Sequence, residues 1–263
     1  MKRALLLVVF AACGTNQTPQ PELDASLPAC VPNRDGMITV DELPIALGAT
    51  VNYYASPAGS ERDVSFGGTT WDLSAENAAD QVVAIGPTAL KDQWYASQFS
   101  SGQFVVPSGD LDGVYHQDSQ ALWLDGLASQ TDGAQKTLIR YVQPLPVLRF
   151  PIQGGDTYSA TTALQADSTV VGLPFVGTDK LDVTITGGGK LLVPYVEFSP
   201  VLKVQTLATR TPSTGTPVVT KRTTIFMFEC FGEIARAESR TDEPSPDFTK
   251  AAYLRRFALG VKP

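Results

Sequence analysis

The chain has 263 residues, of which 43% are hydrophobic, and its formal net charge at pH 7 is −7. An acidic chain is a poor partner for nucleic acid or for an anionic lipid surface, because both carry negative charge. The hydrophobic content suffices for a sizeable core, and no motif in the sequence calls for a cofactor.

The first thirteen residues have the pattern of a bacterial export signal. Two basic residues precede an apolar run over residues 4–12, which is too short to span a bilayer. Residues 10–13 (FAAC) resemble the lipobox of bacterial lipoproteins, with Phe10 in place of the usual leucine. That resemblance implies that residues 1–12 are a cleaved signal peptide and that Cys13 is acylated. An ordinary secreted protein that is cleaved elsewhere is the alternative.

Residues 13–29 are polar, carry three prolines and lack periodicity, which predicts a flexible tether. Loss of residues 1–12 would leave 18 basic and 27 acidic residues, a formal charge of −9. Acyl chains on Cys13 would anchor such a protein to a membrane without a basic patch. Gly14 stands where an aspartate retains some lipoproteins in the inner membrane, so the resemblance implies the outer membrane, with the leaflet undetermined.

Residues 31–42 partly match the calcium loop of an EF-hand. Three of its ligand positions are occupied, by Asn33, Asp35 and Glu42. Val31 stands where an aspartate normally supplies an oxygen, and Pro44 would disrupt the helix that should follow. A turn at Asp35-Gly36 followed by a short strand is the alternative to a calcium site.

From residue 46 onward, β-branched and aromatic runs alternate with turn-forming clusters, which is typical of an all-β sandwich or barrel. In the first half the runs span residues 49–55, 63–66, 81–85, 104–106, 114–116, 121–124 and 137–142. Ser74 is expected to cap a short helix over residues 76–79, whereas residues 91–99 fit a strand or a helix.

The second half predicts longer antiparallel strands, over residues 147–152, 156–165, 180–186, 190–198, 201–208, 218–231 and 233–239. Residues 186–190 (TGGGK) predict a hairpin turn rather than a phosphate-binding loop, because Leu191 replaces the required Ser or Thr. Residues 212–217 predict a second hairpin tip. A final helix from Ser245 to Leu259 is expected, with an edge strand as the alternative.

These elements predict an all-β, mostly antiparallel fold over residues 30–263. The expected form is a sandwich or an open half-barrel of long twisted strands, with one or two short helices. If there are two lobes, 30–142 and 143–263, the seam lies at residues 143–146 (QPLP), the one plausible boundary in the sequence.

Several stretches of the second half carry a resemblance to known proteins: residues 147–151 (VLRFP), 155–158 (GDTY), Gly189 with 193–194 (VP), 201–204 (VLKV) and 228–236 (FECFGEIAR). With them the chain resembles uncharacterised predicted lipoproteins of myxobacteria and, more loosely, β-rich modules of Bacteroidota surface proteins. The resemblance implies an envelope lipoprotein with an antiparallel β fold and no assigned activity.

No motif marks an active site. The single histidine, His116, is expected near a hairpin end, and the chain contains neither G-x-S-x-G nor H-E-x-x-H. A structural role is therefore expected for His116. The pairs Asp110/Asp112 and Asp41/Glu42 would suit glycoside chemistry, but with 27 acidic residues such pairs arise by chance.

Three functions follow from the sequence. The first is a non-catalytic, lipid-anchored module that binds a protein or glycan at the cell envelope or contributes structure. The second is a periplasmic carrier of a hydrophobic ligand or lipid, with a cavity lined by Ile225, Phe226, Met227, Phe228 and Phe231. Plain core packing is the alternative role of that run. The third is a hydrolase without a recognisable motif.

The cysteine count predicts one disulfide. Acylation of Cys13 would leave Cys30 and Cys230, and the envelope outside the inner membrane permits oxidation. We therefore predict a Cys30–Cys230 bridge between the first folded segment and the strongest late strand. Two buried free thiols are the alternative.

Overall fold

The computed structural model describes residues 30–260, so the predicted signal peptide, the tether and Cys13 lie outside the described residues. Within them are three 3₁₀ helices, at Val40–Glu42, Leu90–Asp92 and Ala96–Gln98. The first ten strands are β1 (Met37–Ile38), β2 (Val51–Ala55), β3 (Arg62–Asp63), β4 (Thr70–Asp72), β5 (Gln81–Ile85), β6 (Thr88–Ala89), β7 (Phe104–Ser108), β8 (Leu111–Gln117), β9 (Ala121–Ser129) and β10 (Leu138–Arg149). The others are β11 (Ile152–Gln153), β12 (Thr157–Ala163), β13 (Thr169–Val170), β14 (Leu173–Pro174), β15 (Gly177–Val193), β16 (Val196–Pro212), β17 (Val219–Phe228), β18 (Gly232–Thr241), β19 (Lys250–Ala251) and β20 (Tyr253–Phe257).

Two large sheets dominate the fold. The seven-stranded sheet has the order β14-β13-β10-β9-β8-β7-β6. The nine-stranded sheet follows β12-β15-β16-β17-β18-β20-β2-β5, with β4 parallel to β15. An isolated bridge from Tyr141 in β10 to Leu164 joins the two sheets along one side. The all-β, mostly antiparallel prediction is confirmed as a sandwich-like fold.

The nine-stranded sheet is covered on both faces near its centre. Residues 201–204 of β16 are all buried, as expected for a strand without a solvent-facing side. On the outer face, Val201 packs in a cluster with Trp71 and Phe226. On the inner face, toward the seven-stranded sheet, Leu202 packs in a cluster with Leu148 of β10. This inner face carries the groove described below.

The predicted hairpin at residues 186–190 is wrong. Strand β15 runs through it, and its pairing with β16 shifts register around Gly189, so the glycines form a β-bulge. A Cβ at Gly189 would lie 2.1 Å from the Trp71 ring, so the missing side chain permits close packing of that ring. The hairpin turn lies instead at Pro194-Tyr195, whereas the tip predicted at residues 212–217 is confirmed between β16 and β17.

The predicted C-terminal helix is also wrong. Strand β20 occupies part of that segment and lies between β18 and β2, so it is not an edge strand either. Leu254, Arg255 and Arg256 are buried in succession, which requires cover on both faces of a strand. The local capping signals of Ser245 are therefore overridden by tertiary packing.

Local structure bears on three smaller features of the sequence. No helix follows Ser74, whose backbone N and Oγ both donate to the Asp72 carboxylate. Residues 91–99 form neither a strand nor an α-helix, because two 3₁₀ turns fall within that region. The possible seam at residues 143–146 lies inside β10, where the pairing with β9 is irregular.

Candidate functional site

The predicted disulfide is confirmed. Cys30 and Cys230 are bridged with a Cα–Cα distance of 5.5 Å across a sequence separation of 200 residues. Two hydrogen bonds support the junction: Cys230 N donates to the Glu42 carbonyl oxygen at 2.9 Å, and Arg34 N donates to Glu229 Oε2 at 2.6 Å. The first described segment is thereby fixed to the β17–β18 turn.

The loop over residues 31–42 forms a turn followed by β1. Asn33 Oδ1 accepts from Asp35 N, Asp35 Oδ1 accepts from Met37 N, and Glu42 Oε2 accepts from Thr39. The three candidate calcium ligands thus stabilise their own backbone with the oxygens that calcium would need. Among residues 30–260, no group of three or more His, Cys, Asp or Glu is placed to hold a metal ion.

His116 has an orienting acid that sequence reasoning missed. Its Nδ1 lies 2.7 Å from Oδ2 of the buried Asp125, and Ser101 Oγ donates to Oδ1 of the same carboxylate. Strands β8 and β9 pair so that His116 lies opposite Trp123. Asp125 is two residues further along β9, and this pairing brings its side chain to His116. Asp125 lies between the other two side chains, so Ser101 bonds to the carboxylate and not to the imidazole of His116. This is not the order of a Ser-His-Asp triad, in which the histidine takes the serine proton.

The two carboxylate pairs from the sequence have separate local roles. Asp112 is buried and accepts from Tyr95 Oη at 2.6 Å, whereas Asp110 lies exposed in the β7–β8 turn. Glu42 is engaged with Thr39, whereas Asp41 is exposed. In each pair one acid is committed to a structural hydrogen bond.

An inter-sheet groove of about 220 Å³ lies between β9–β10 and β15–β17. Its lining is mostly apolar and includes Leu124, Leu145, Val147 and Leu181. The volume is below the roughly 300–1,000 Å³ of typical small-molecule pockets. None of the residues suggested by the sequence for a carrier cavity lines this groove: Phe226 and Phe228 belong to the outer core, and Met227 packs in the inner cluster.

A polar network also lines the inter-sheet groove. Tyr141 Oη donates to Asp179 Oδ2 at 2.8 Å, and Arg210 binds the same carboxylate with two hydrogen bonds of 2.8 and 2.7 Å. Burial, and then the charge of Asp179, raise the pKa of Tyr141 well above its ordinary value. Burial alone would lower the pKa of Arg210, but the bonds to Asp179 outweigh that effect and raise it. The network is internally neutral, because the charge of Arg210 balances that of Asp179.

A second pocket, the Arg256 pocket, has a volume of about 440 Å³. Its lining residues are Tyr54, Glu76, Asn77, Ala78, Asp80, Pro194 and Arg256. Tyr54 and Arg256 are directly opposite on β2 and β20, the acidic and amide residues come from the loop before β5, and Pro194 follows β15. The pocket is thus assembled from segments that are far apart in sequence.

Arg256 forms the fixed floor of this pocket. The side chain is only 3% exposed, and it donates to the Leu73 and Ala75 carbonyl oxygens and to Asp80, which also pairs with Arg62 at 2.7 Å. Its Nε has no hydrogen-bond partner among the described residues, a situation that costs about 1–3 kcal/mol for a buried donor. Burial lowers the pKa of Arg256, and the charge of Asp80 opposes that shift.

Tyr195 directly follows Pro194, one of the residues that line the Arg256 pocket. Its side chain is 71% exposed, and its backbone has φ of 67°, a left-handed conformation that is uncommon for a residue other than glycine. The interaction of its hydroxyl with Glu76, one of the pocket residues, raises the pKa of Tyr195. An exposed aromatic ring therefore lies beside a polar pocket.

A scan against protein-family models, a search of curated proteins and a search of solved structures each returned no match. No helix within residues 30–260 is long and apolar enough to cross a membrane. The functional argument therefore depends on the geometry of this chain alone.

Proposed function

We propose that the protein is a lipid-anchored lipoprotein of the cell envelope whose β domain is a non-catalytic binding or structural module. The observation that carries this proposal is the Cys30–Cys230 disulfide. A structural disulfide suits an oxidising compartment outside the inner membrane. With two of the three cysteines paired, Cys13 is left as the residue that the lipobox-like sequence marks for acylation.

The position of the bridge also suits a tethered protein. In this proposal residues 13–29 connect the acylated Cys13 to the domain, so any pull from the membrane enters the fold at Cys30. The disulfide transmits that pull to the β17–β18 turn, at the centre of the nine-stranded sheet. Strand β1, whose two residues pair only with β11, is therefore spared the load.

Substitution of Cys13 tests the anchor. Cys13→Ser should abolish metabolic labelling with palmitate and release the protein from membranes, because the acylated thiol is gone. Cys30→Ser is the matched control, since it removes a cysteine and the bridge but leaves the lipidation site intact. Unchanged labelling of Cys13→Ser would refute lipidation. Membrane fractionation that recovers the native protein in the inner-membrane fraction would refute the expected outer-membrane location.

The inter-sheet groove supports a second candidate, a carrier of a hydrophobic ligand in the periplasm. Its apolar lining favours a small apolar molecule, and its volume of about 220 Å³ disfavours a whole phospholipid. Mass spectrometry of molecules that co-purify with the native, lipidated protein tests this candidate. A stoichiometric apolar compound that is displaced by Leu145→Trp would support the carrier, and its absence would count against it.

A further inference from the structure

The Arg256 pocket combines features that suit one class of ligand. Its volume of about 440 Å³ falls within the range of small-molecule sites, unlike the inter-sheet groove. We propose that this pocket binds one neutral sugar residue of an envelope glycan. The proposal deepens the function proposed above and rests on it, because it names the ligand of the non-catalytic module.

The lining groups match the chemistry of a sugar. Sugar hydroxyls both donate and accept hydrogen bonds, so a sugar site needs acceptors and donors side by side. The Glu76 carboxylate supplies acceptors, the Asn77 amide supplies both, and the Arg256 guanidinium supplies donors. Two aromatic rings, Tyr54 in the lining and the exposed Tyr195 next to the lining residue Pro194, offer surfaces for the apolar C–H face of a pyranose ring.

The charges at the pocket favour a neutral ligand. Arg256 and Arg62 both pair with Asp80, and Glu76 adds a second negative charge beside them. Two cations thus face two carboxylates, which leaves no excess charge to attract a phosphate, a uronic acid or an amine. A sugar with only hydroxyl or acetamido groups meets this requirement.

The floor of the pocket is fixed before a ligand arrives. Arg256 is held by two backbone carbonyl oxygens and by Asp80, whose side chain is itself only 4% exposed. Polar groups that are already oriented lose little conformational entropy on binding. Weak but specific recognition of a single sugar unit is the expected outcome.

Saturation-transfer NMR of the mature protein provides the test. The probes are the methyl glycosides of glucose, galactose, mannose and N-acetylglucosamine, each at about 10 mM to detect affinities on the order of millimolar. At least one should show saturation transfer through its ring protons. Tyr195→Ala and Asn77→Ala should weaken that ligand about tenfold or more, and Tyr195→Phe, which keeps the ring, should retain most of the affinity.

Matched controls separate loss of the site from general damage. Leu173→Ala removes an equally exposed side chain, 71%, from the other sheet and should leave binding within about twofold of wild type. Glu197→Gln removes a negative charge outside the pocket, on the β15–β16 hairpin that also carries Tyr195, and should leave binding within about twofold of wild type. Glu76→Gln, inside the pocket, should weaken binding.

Three results would overturn the proposal: no transfer to any probe, transfer only to anionic sugars, or transfer that is insensitive to both alanine variants. Each of these leaves lipidation of Cys13 untouched, so failure of the sugar site is distinguishable from failure of the anchor. Conversely, hydrolysis of a bound glycoside would preserve the site but refute the non-catalytic part of the proposed function.

Discussion

Replacement of both Cys30 and Cys230 by alanine should lower the free energy of unfolding by about 5 kcal/mol. The bridge spans a sequence separation of 200 residues, and loop-closure entropy that rises with the logarithm of loop length gives about 5 kcal/mol at 25 °C. For a domain of this size, that loss corresponds to a fall in Tm of about 10–20 °C.

The loss should come mainly from the unfolded chain. The hydrogen bonds of Arg34 to Glu229 and of Cys230 to Glu42 do not involve the sulfur atoms, so the native contacts at the junction should persist in the double variant. An unfolded chain without the cross-link exposes more surface, so the dependence of the free energy on urea should steepen. Urea unfolding of the mature protein, followed by circular dichroism, measures both quantities.

Two outcomes would refute this reasoning. A loss below about 1 kcal/mol with an unchanged urea dependence would show that the unfolded chain is not restricted by the bridge. Loss of the native spectrum in the absence of urea would show that residues 30–43 need the bridge for their folded contacts. Wild-type protein treated with a reducing agent should behave like the double variant.

The remaining predictions concern packing, charge and the histidine. Gly189→Ala should lose about 1–3 kcal/mol in urea unfolding, because its Cβ would meet the buried Trp71 ring, whereas Gly67→Ala, with no atom within 4 Å, should be near neutral. Burial alone would raise the pKa of Glu233, but Arg236 and Arg255 hold that pKa below its ordinary value of 4.5. The contribution of Glu233 to stability should therefore be complete above about pH 4.5 and should decline as the pH falls through its lower folded pKa. Glu233→Gln should lower the free energy of unfolding by about 2 kcal/mol at pH 7 and should make that free energy less dependent on pH in the acid range. His116→Ala should leave any measured esterase or glycosidase activity essentially intact, and a thousandfold loss would instead identify the His116–Asp125 pair as catalytic.

Patterns that depend on neighbouring residues were predicted well. The alternation over residues 180–186 corresponds to part of the observed β15. The turn-forming sequence at residues 212–217 corresponds to the observed hairpin tip before β17. The disulfide followed from counting cysteines in an exported chain, an argument that needs no geometry. Local periodicity and composition therefore suffice for the fold class.

The wrong predictions of a hairpin at residues 186–190 and of a C-terminal helix share one cause. A run of glycines normally favours a turn, and Ser245 with a following proline normally favours a helix start. In the folded chain Gly189 serves the approach of Trp71, and residues 253–257 fill a position between β18 and β2. Trp71 is 118 residues before Gly189 (189 − 71), and β2 lies in the first quarter of the chain, so no local signal announces either partner.

The same limit explains why the candidate sites escaped the sequence. The sequence has 27 acidic residues, and close pairs among them are expected mainly in solvated turns. Nothing in the sequence distinguishes an acid that will be buried from one that will stay in solvent. Folding then buries a few of them, and each buried aspartate acquires its own donor: Asp80 with Arg256, Asp112 with Tyr95, Asp125 with His116 and Asp179 with Arg210. A buried carboxylate is costly without such a partner, so partner and acid are needed together. Since Asp80 and Arg256 are 176 residues apart, only the sheet topology brings the Arg256 pocket into existence.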